Sequence, residues 1–411
     1  MHATNAIDGV TLVLATCFTI GQSGTPPQCC ETACMSREDC CLKIAPFRIE
    51  QYFAVHEFTA PHLLSSSDAE TVSVASILAL EPDATDRLGS LALSYTQSAG
   101  APELRAAASA IYATTTAQDI VIVSAAEEAI FAAYHALLQP GDHVVVETPC
   151  YESALQLARS TGADVSEWRR SADSGWAHDL AALERLMRPN TRLVYINTPH
   201  NPTGALMPRK VLNRVIELCA EREAWLFCDE VYRELEHDPA ALLPAAVDLY
   251  EHAISLGSMS KTYGLPGLRL GWLASHDRAA LTKIIDFKHY TTICSSAPSE
   301  FLSAVALRHR SVFADRSRAI VLANLALIDA LMARHADRLS WVRPNASTIG
   351  FMRIAGVEET DGFCAKLVAD AGVLLLPGSV YDEPTHVRIG FGRTTTPEAL
   401  RRFEAWLLQQ S

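Results

Sequence analysis

In the segment SMSKTYGLPGLRLGW (258–272), Lys261 sits among small residues and is followed eight positions later by Arg269. Three chemistries use such an arrangement: the phosphate loop of a nucleotide enzyme, a basic surface turn, or a lysine acting as a covalent nucleophile. A nucleotide loop requires G-x-x-x-x-G-K-[ST], because bare backbone must fold around phosphates. Lys261 and Thr262 fit the end of that pattern, but its two glycine positions hold Ser255 and Ser260, which argues against it. A lone lysine is ordinarily a solvated charge, so its company must decide.

Asp229 is embedded in the apolar run WLFCDEV (225–231). Burying an ionised carboxylate is costly unless it is paired, so Asp229 reads either as a helix cap or structural ion pair, or as a partner for a cationic ligand. The segment SAAEEA (124–129) follows another apolar run and opens a helix, offering free N–H groups and a positive dipole end to an anion. NTPHNPTG (197–204) follows a third run. Together with Lys261 and Arg269, these suit a single ligand, an aromatic cation that carries a phosphate and an aldehyde, namely pyridoxal 5'-phosphate.

A sheet is needed to bring such distant residues together. From residue 119 the chain alternates apolar strands DIVIV (119–123), HVVVET (143–148), RLVYINT (192–198) and WLFCDEV with helical patterns such as EEAIFAAYHALL (127–138) and KVLNRVIELCAE (210–221), followed by the shorter runs AISLG and LGWLA. This predicts β-α-β units and a mostly parallel sheet with helices on both faces. Ligands of such sheets bind beyond the carboxyl ends of the strands, where all four polar signals fall. From about Glu300 the character changes to a long helical pattern reaching Arg334, short strands STIGFMRI and THVRIGFG, and a terminal helix from Pro397. The expected organisation is a Cys-rich extension over 1–41, read as poorly ordered, an arm and part of a small domain over 42–90, a large cofactor-binding domain over 91–299, and a small α+β domain over 300–411.

The bulk numbers narrow the partners. The 411 residues carry a formal net charge of -13, which argues against a nucleic-acid binder, since that needs a basic stripe. No stretch is apolar for long enough to span a bilayer. Six of the eleven cysteines lie in the first 41 residues, in a spacing that matches no zinc pattern, so no metal is expected. The run VTLVLATCFTI (10–20) has the look of a secretory h-region, but no Lys or Arg precedes it. The scattered cysteines of the main body read as cytoplasmic and reduced.

Six motifs occur in one order: YTQSAGAPELR, ETPCY, NPTG, CDEVY, SMSKTYGLPGLRLGW and VRIGFGR. In this the sequence resembles the fold type I pyridoxal-phosphate enzymes of the class I/II aminotransferase family, over about residues 90–393. The resemblance implies an α/β large domain with a mostly parallel seven-stranded sheet sandwiched by helices, a smaller α+β domain, and transfer of an α-amino group between an amino acid and a 2-oxo acid. By the same resemblance Lys261 forms the Schiff base with the cofactor and shuttles the substrate α-proton. Asp229 pairs with the pyridine nitrogen, and Tyr232 and Asn201 bond the phenolic oxygen. Tyr151 stacks on the ring; Ser258, Arg269 and the helix start at Ala125 and Ala126 hold the phosphate. Arg388 clamps the substrate carboxylate, beside Asn201, while Arg393 reads as a solvated charge at a strand end. Tyr95 reaches the phosphate of a neighbouring subunit, which implies a homodimer with a shared active site.

One stretch departs from the family pattern. LLSSSDAETVS (63–73) replaces an apolar, glycine-containing lid with hydroxyls and acids. Asp68 or Glu70 is then placed to meet a cationic substrate side chain, as in the branch of the family that processes arginine derivatives, or else caps the helix that follows. Two other activities remain open: a pyridoxal-phosphate lyase, cyclase or oxidase of the same fold, and a cofactor-sensing regulator. Against the regulator, the first 90 residues show neither a helix-turn-helix pattern nor basic charge.

Overall fold

The computed structural model describes residues 44–410. The Cys-rich stretch and its expected disorder lie outside the described residues. Seven strands form the main sheet: β1 (Ile120–Val123), β2 (His143–Thr148), β3 (Asp164–Arg169), β4 (Thr191–Asn197), β5 (Trp225–Asp229), β6 (Ala253–Ser258) and β7 (Gly271–Ala274). Their spatial order is β1-β7-β6-β5-β4-β2-β3, and only β7 runs antiparallel to its neighbours. The mostly parallel seven-stranded sheet is therefore as the motifs implied.

Strand alternation explains why helices cover both faces. In β5, Trp225 and Phe227 enter one apolar core, which also takes Ile130, Ala133 and Leu137 of the helix Ala125–Leu137. Leu226 and Cys228 point the other way, into a core with Val211, Val215 and Leu218 of the helix Arg209–Ala220. Side chains of successive strand residues face opposite sides, so a strand buried on both must be apolar throughout. The edge strand β3, DVSEWR, is different: only Trp168 is fully buried, and its polar pattern hides it from a search for apolar runs.

Beyond the main sheet, β8 (Leu339–Trp341), β9 (Ile349–Ile354), β10 (Leu376–Pro377) and β11 (His386–Gly390) form a second sheet in the order β10-β11-β9-β8. The helix Thr396–Leu408 packs on it through Leu400, Phe403 and Leu407. The long helical pattern from Glu300 resolves into two helices, Ala297–Arg308 and Arg310–Arg334, meeting at His309. From the amino-terminal side, His62–Leu63 pairs in parallel with Val373–Leu374, and Leu64 joins the same core.

Candidate active site

The strand ends converge as the topology demands. Asn197 closes β4, Asp229 closes β5 and Ser258 closes β6, with Asn197 and Asp229 side by side in register. All three line a cavity of about 390 Å³, together with Ala125, Ala126, Tyr151, Asn201, Tyr232, Lys261, Arg269 and Arg388. Thus ten of the eleven residues singled out from the sequence meet at one place. The eleventh, Tyr95, is 88% exposed and does not line the cavity of its own chain. Its loop is nonetheless held firmly: Glu300 accepts from the Ala101 N–H (2.7 Å) and the Thr96 hydroxyl (3.0 Å), and the Lys288 amine donates to the Ser98 carbonyl at 3.1 Å.

Lys261 donates to the Ser67 hydroxyl at 2.8 Å. Burial lowers the pKa of its amine and Arg388 adds to this, while Asp68 and Asp229 act in the opposite sense. Asp229 accepts from the Tyr195 hydroxyl (3.0 Å) and the Val231 N–H (3.1 Å). Burial still pushes its carboxyl up to about 6, so this site favours an added positive charge beside it. Beneath it, buried Glu147 accepts from the Asn197 N–H at 3.0 Å, from Arg170 at 3.1 Å and from His178 at 2.8 Å. Burial alone would raise the Glu147 carboxyl, but the hydrogen bond from His178 and the charge of Arg170 hold it well below the usual range.

Arg388 lies on β11, opposite Phe351 and Leu376, and is fully buried. One nitrogen donates to the Tyr381 hydroxyl (2.6 Å) and reaches Asn201 Oδ1 (3.4 Å); the other donates to the Ser65 carbonyl (2.9 Å). Asn201 Oδ1 also accepts from Tyr381 at 3.0 Å, so the asparagine carbonyl is spent on this cluster. The Arg388 Nε and the Tyr232 hydroxyl are buried without a hydrogen-bond partner among the described residues. Native structures rarely leave such atoms unpaired, and both line the cavity, so they mark where a ligand's polar atoms belong. At the other end of the cavity, Ser258 Oγ accepts from the Ser260 N–H at 3.1 Å, beside the start of the helix Ala125–Leu137 and the exposed guanidinium of Arg269. An amine, an opposed carboxylate, an unpartnered tyrosine hydroxyl and an anion-ready helix start together fit pyridoxal phosphate.

The departing stretch at 63–73 becomes a strap across this site. Besides Ser65 and Ser67, its backbone accepts from the Thr348 hydroxyl at 2.7 Å through Ser67, and Ala69 donates to the Lys261 carbonyl at 3.3 Å. The approach is so close that a Cβ at Gly390 would overlap the Ser66 carbonyl, and one at Gly264, which has φ +64°, would lie 2.5 Å from that of Glu70. The two acids of the strap are committed to the protein. Asp68 forms a two-pronged pair with Arg393, accepting from Nη2 (2.7 Å) and Nε (3.1 Å), and Glu70 accepts from the Thr394 N–H (2.6 Å) and hydroxyl (2.7 Å). Neither is left to meet a substrate, and neither caps the next helix, whose N-cap is Ser73. Arg393 is correspondingly no solvated charge.

Several residues that line the cavity or hold its lining in place were not singled out from the sequence. Tyr195 was detectable, since it shares a strand face with Asn197 and neighbours Asp229. Ser67 and Tyr381 carry no local signal. Nor do Glu50, Phe53 and Glu57 of the helix Arg48–His56 and its cap, which Arg48 ties down through Glu152 (2.8 Å) and Asp382 (2.9 Å).

The fold and site are those of an enzyme that uses pyridoxal phosphate. The family model for aminotransferases of class I and II matches residues 63–404, and the chain belongs to that family. It is 30% identical over 352 residues to capreomycidine synthase of Streptomyces vinaceus, covering 85% of this chain and 90% of that one. Among solved structures it resembles a pyridoxal-phosphate-dependent aminotransferase from Streptococcus suis, with TM-score 0.85, 30% identity and coverage of 89% and 98%. It also resembles the pyridoxal-phosphate-dependent cyclase OrfR, with TM-score 0.80, 28% identity and coverage of 91% and 99%. No helix among the described residues is long and apolar enough to cross a membrane.

Proposed function

We propose that the enzyme moves the α-amino group of an amino acid to a 2-oxo acid with Lys261 as its reactive amine. The observation that carries this is the meeting of Lys261, Asp229, Tyr232 and Arg388 on one cavity. When bound, the cofactor supplies an aldehyde for the lysine and a cationic ring that stores the electron pair left when the substrate α-C–H bond breaks. Asp229, held by Tyr195 and Val231, accepts a hydrogen bond from the ring N–H and keeps the proton there. Tyr232 supplies its free hydroxyl to the ring oxygen, and the Asn201 amide supplies a second donor. Ser258, Arg269 and the N–H groups at Ala125 and Ala126 hold the phosphate. Arg388 pairs with the substrate α-carboxylate, its plane fixed by Tyr381 and Ser65. Lys261 Nζ takes the α-proton, its lowered pKa leaving more free amine near neutrality.

The exposed Tyr95, with Leu93 and Tyr290 also exposed on the described chain, supports a homodimer in which Tyr95 completes the partner's phosphate site. We place the large cofactor domain at 91–299 and the small one at 300–411 with 42–90. The five described cysteines are unpaired, which supports a reducing, cytoplasmic setting.

A second reading, favoured by the similarity to capreomycidine synthase and to a cyclase, keeps the same residues but diverts the reaction to elimination, cyclisation or oxidation. Incubation of the cofactor-loaded enzyme with single amino acids and no 2-oxo acid separates the two. Stable conversion of the cofactor to its amine form supports transfer, whereas continued turnover with ammonia release or oxygen uptake supports the second reading.

A further inference from the structure

The cavity is charged at two ends, and only one end is accounted for. Its cations are Lys261, Arg269 and Arg388, which the proposed function assigns to the aldehyde, the phosphate and the α-carboxylate. Its acids other than Asp229 are Glu50, Glu57, Glu127 and Asp68. Asp68 is neutralised by Arg393. Glu50, Glu57 and Glu127 have no Lys, Arg or His ion-pair partner among the described residues.

Among the described residues Glu50 accepts only from the Tyr151 hydroxyl, at 2.5 Å. Glu57 follows it by seven residues, two helical turns, so the two acids share one face of the arm with Phe53 between them. Glu127 comes from another element, two residues into the helix that starts at the phosphate cradle, and is close enough to Glu50 for that carboxylate to disfavour the charge of Glu127. Unpaired carboxylates gathered on a partly buried wall repel one another, and a bound cation relieves this. At the other end, the buried and unpartnered Arg388 Nε marks a seat for one anionic group. A ligand that satisfies both ends has a carboxylate and, some bonds away, a cation.

We propose that Glu50, Glu57 and Glu127 bind the side-chain cation of the substrate, which is an amino acid ending in a guanidinium or ammonium group. This rests on the reading that an amino acid reacts at Lys261. A dicarboxylic amino acid meets like charge on this wall and is rejected. Guanidinium fits best, because its planar fork can engage carboxylates approaching from two sides.

The test compares kcat/KM of the cofactor-loaded enzyme for arginine, ornithine, norleucine and glutamate, and inhibition by 4-guanidinobutyrate, which has both charged ends but no α-amine. Arginine or ornithine is expected to exceed norleucine by at least about tenfold, with glutamate weakest. Glu50→Gln and Glu127→Gln, which preserve shape, are expected to lower the cation-to-norleucine ratio by about ten- to a hundredfold and to weaken 4-guanidinobutyrate in parallel. A preference for norleucine or glutamate, or a ratio unmoved in both Glu→Gln variants, overturns the proposal while leaving the chemistry at Lys261 intact. If no amino acid alters the visible spectrum of the bound cofactor, the reading of the reaction falls, and this proposal with it.

Discussion

Two sets of acids lie in or beside the same cavity and differ in their partners. On the strap, Asp68 and Glu70 are held by Arg393 and by Thr394. On the arm and the cradle helix, Glu50, Glu57 and Glu127 have no cationic partner among the described residues. The strap acids belong to the architecture: they fasten residues 64–70 between the Lys261 loop and the end of β11, and so hold Ser67 against the lysine. The arm acids fasten nothing of comparable weight. A carboxylate at a pocket is thus informative through what it lacks, because a paired acid has already spent its charge.

This contrast can be broken experimentally, starting with the reference point both sets share. Lys261→Ala should cut turnover by ~10⁴-fold or more, measured as keto-acid formation, while cofactor absorbance after dialysis reports retained binding. Residual activity within tenfold of the parent enzyme would place the reactive amine elsewhere. Next, Asp68→Asn should cost ~2 kcal/mol of stability in urea unfolding, because it strands a partly buried Arg393. Glu57→Gln should leave the unfolding midpoint unmoved, and equal effects would erase the difference between the strap and arm acids.

A third test uses pH. Burial pushes Glu127 up to about 7, with Glu50 and Asp229 raising it further and Ser153 acting against. Its charge, absent in acid, appears as pH rises through that value, so the arginine-to-norleucine ratio of kcat/KM should climb by about tenfold between pH 6 and 8 and stay flat in Glu127→Gln. A ratio that falls over this range would mean that the wall does not bind as an anion. A smaller effect than that of Asp68→Asn is expected of Glu70→Gln, about 1 kcal/mol in the same unfolding assay, because its partners are a neutral N–H and a hydroxyl near solvent.

Histidine buried in the neutral form gives a separate handle on stability. Burial, with Arg170 nearby, pushes His200 down to about 3. A depressed folded-state pKa contributes stability above the unfolded value near 6.5 and loses it as pH falls toward 3, so His200→Gln should flatten the acid limb of the thermal midpoint curve. An unchanged limb would show that His200 is solvated.

Much of this was written locally. The apolar runs of β2, β4, β5 and β6 announce strands because both faces are buried, and the polar residues that end them have to fall at the ligand edge of a parallel sheet. The lysine, the aspartate and the cofactor they imply follow from that placement and from the motif order. What local pattern could not supply is who neutralises whom. Arg393 reads as a surface charge until Asp68, 325 residues away in sequence, is found bonded to it. Ser67 looks like one hydroxyl among three until Lys261 is seen donating to it. Tyr381 acquires a role only by standing between Arg388 and Asn201. Sequence therefore determined the scaffold and the identity of the reactive groups, which depend on periodicity and residue type. Tertiary structure alone decided which acids are spent and which are free, because pairing is a matter of distances between segments that no spacing along the chain encodes.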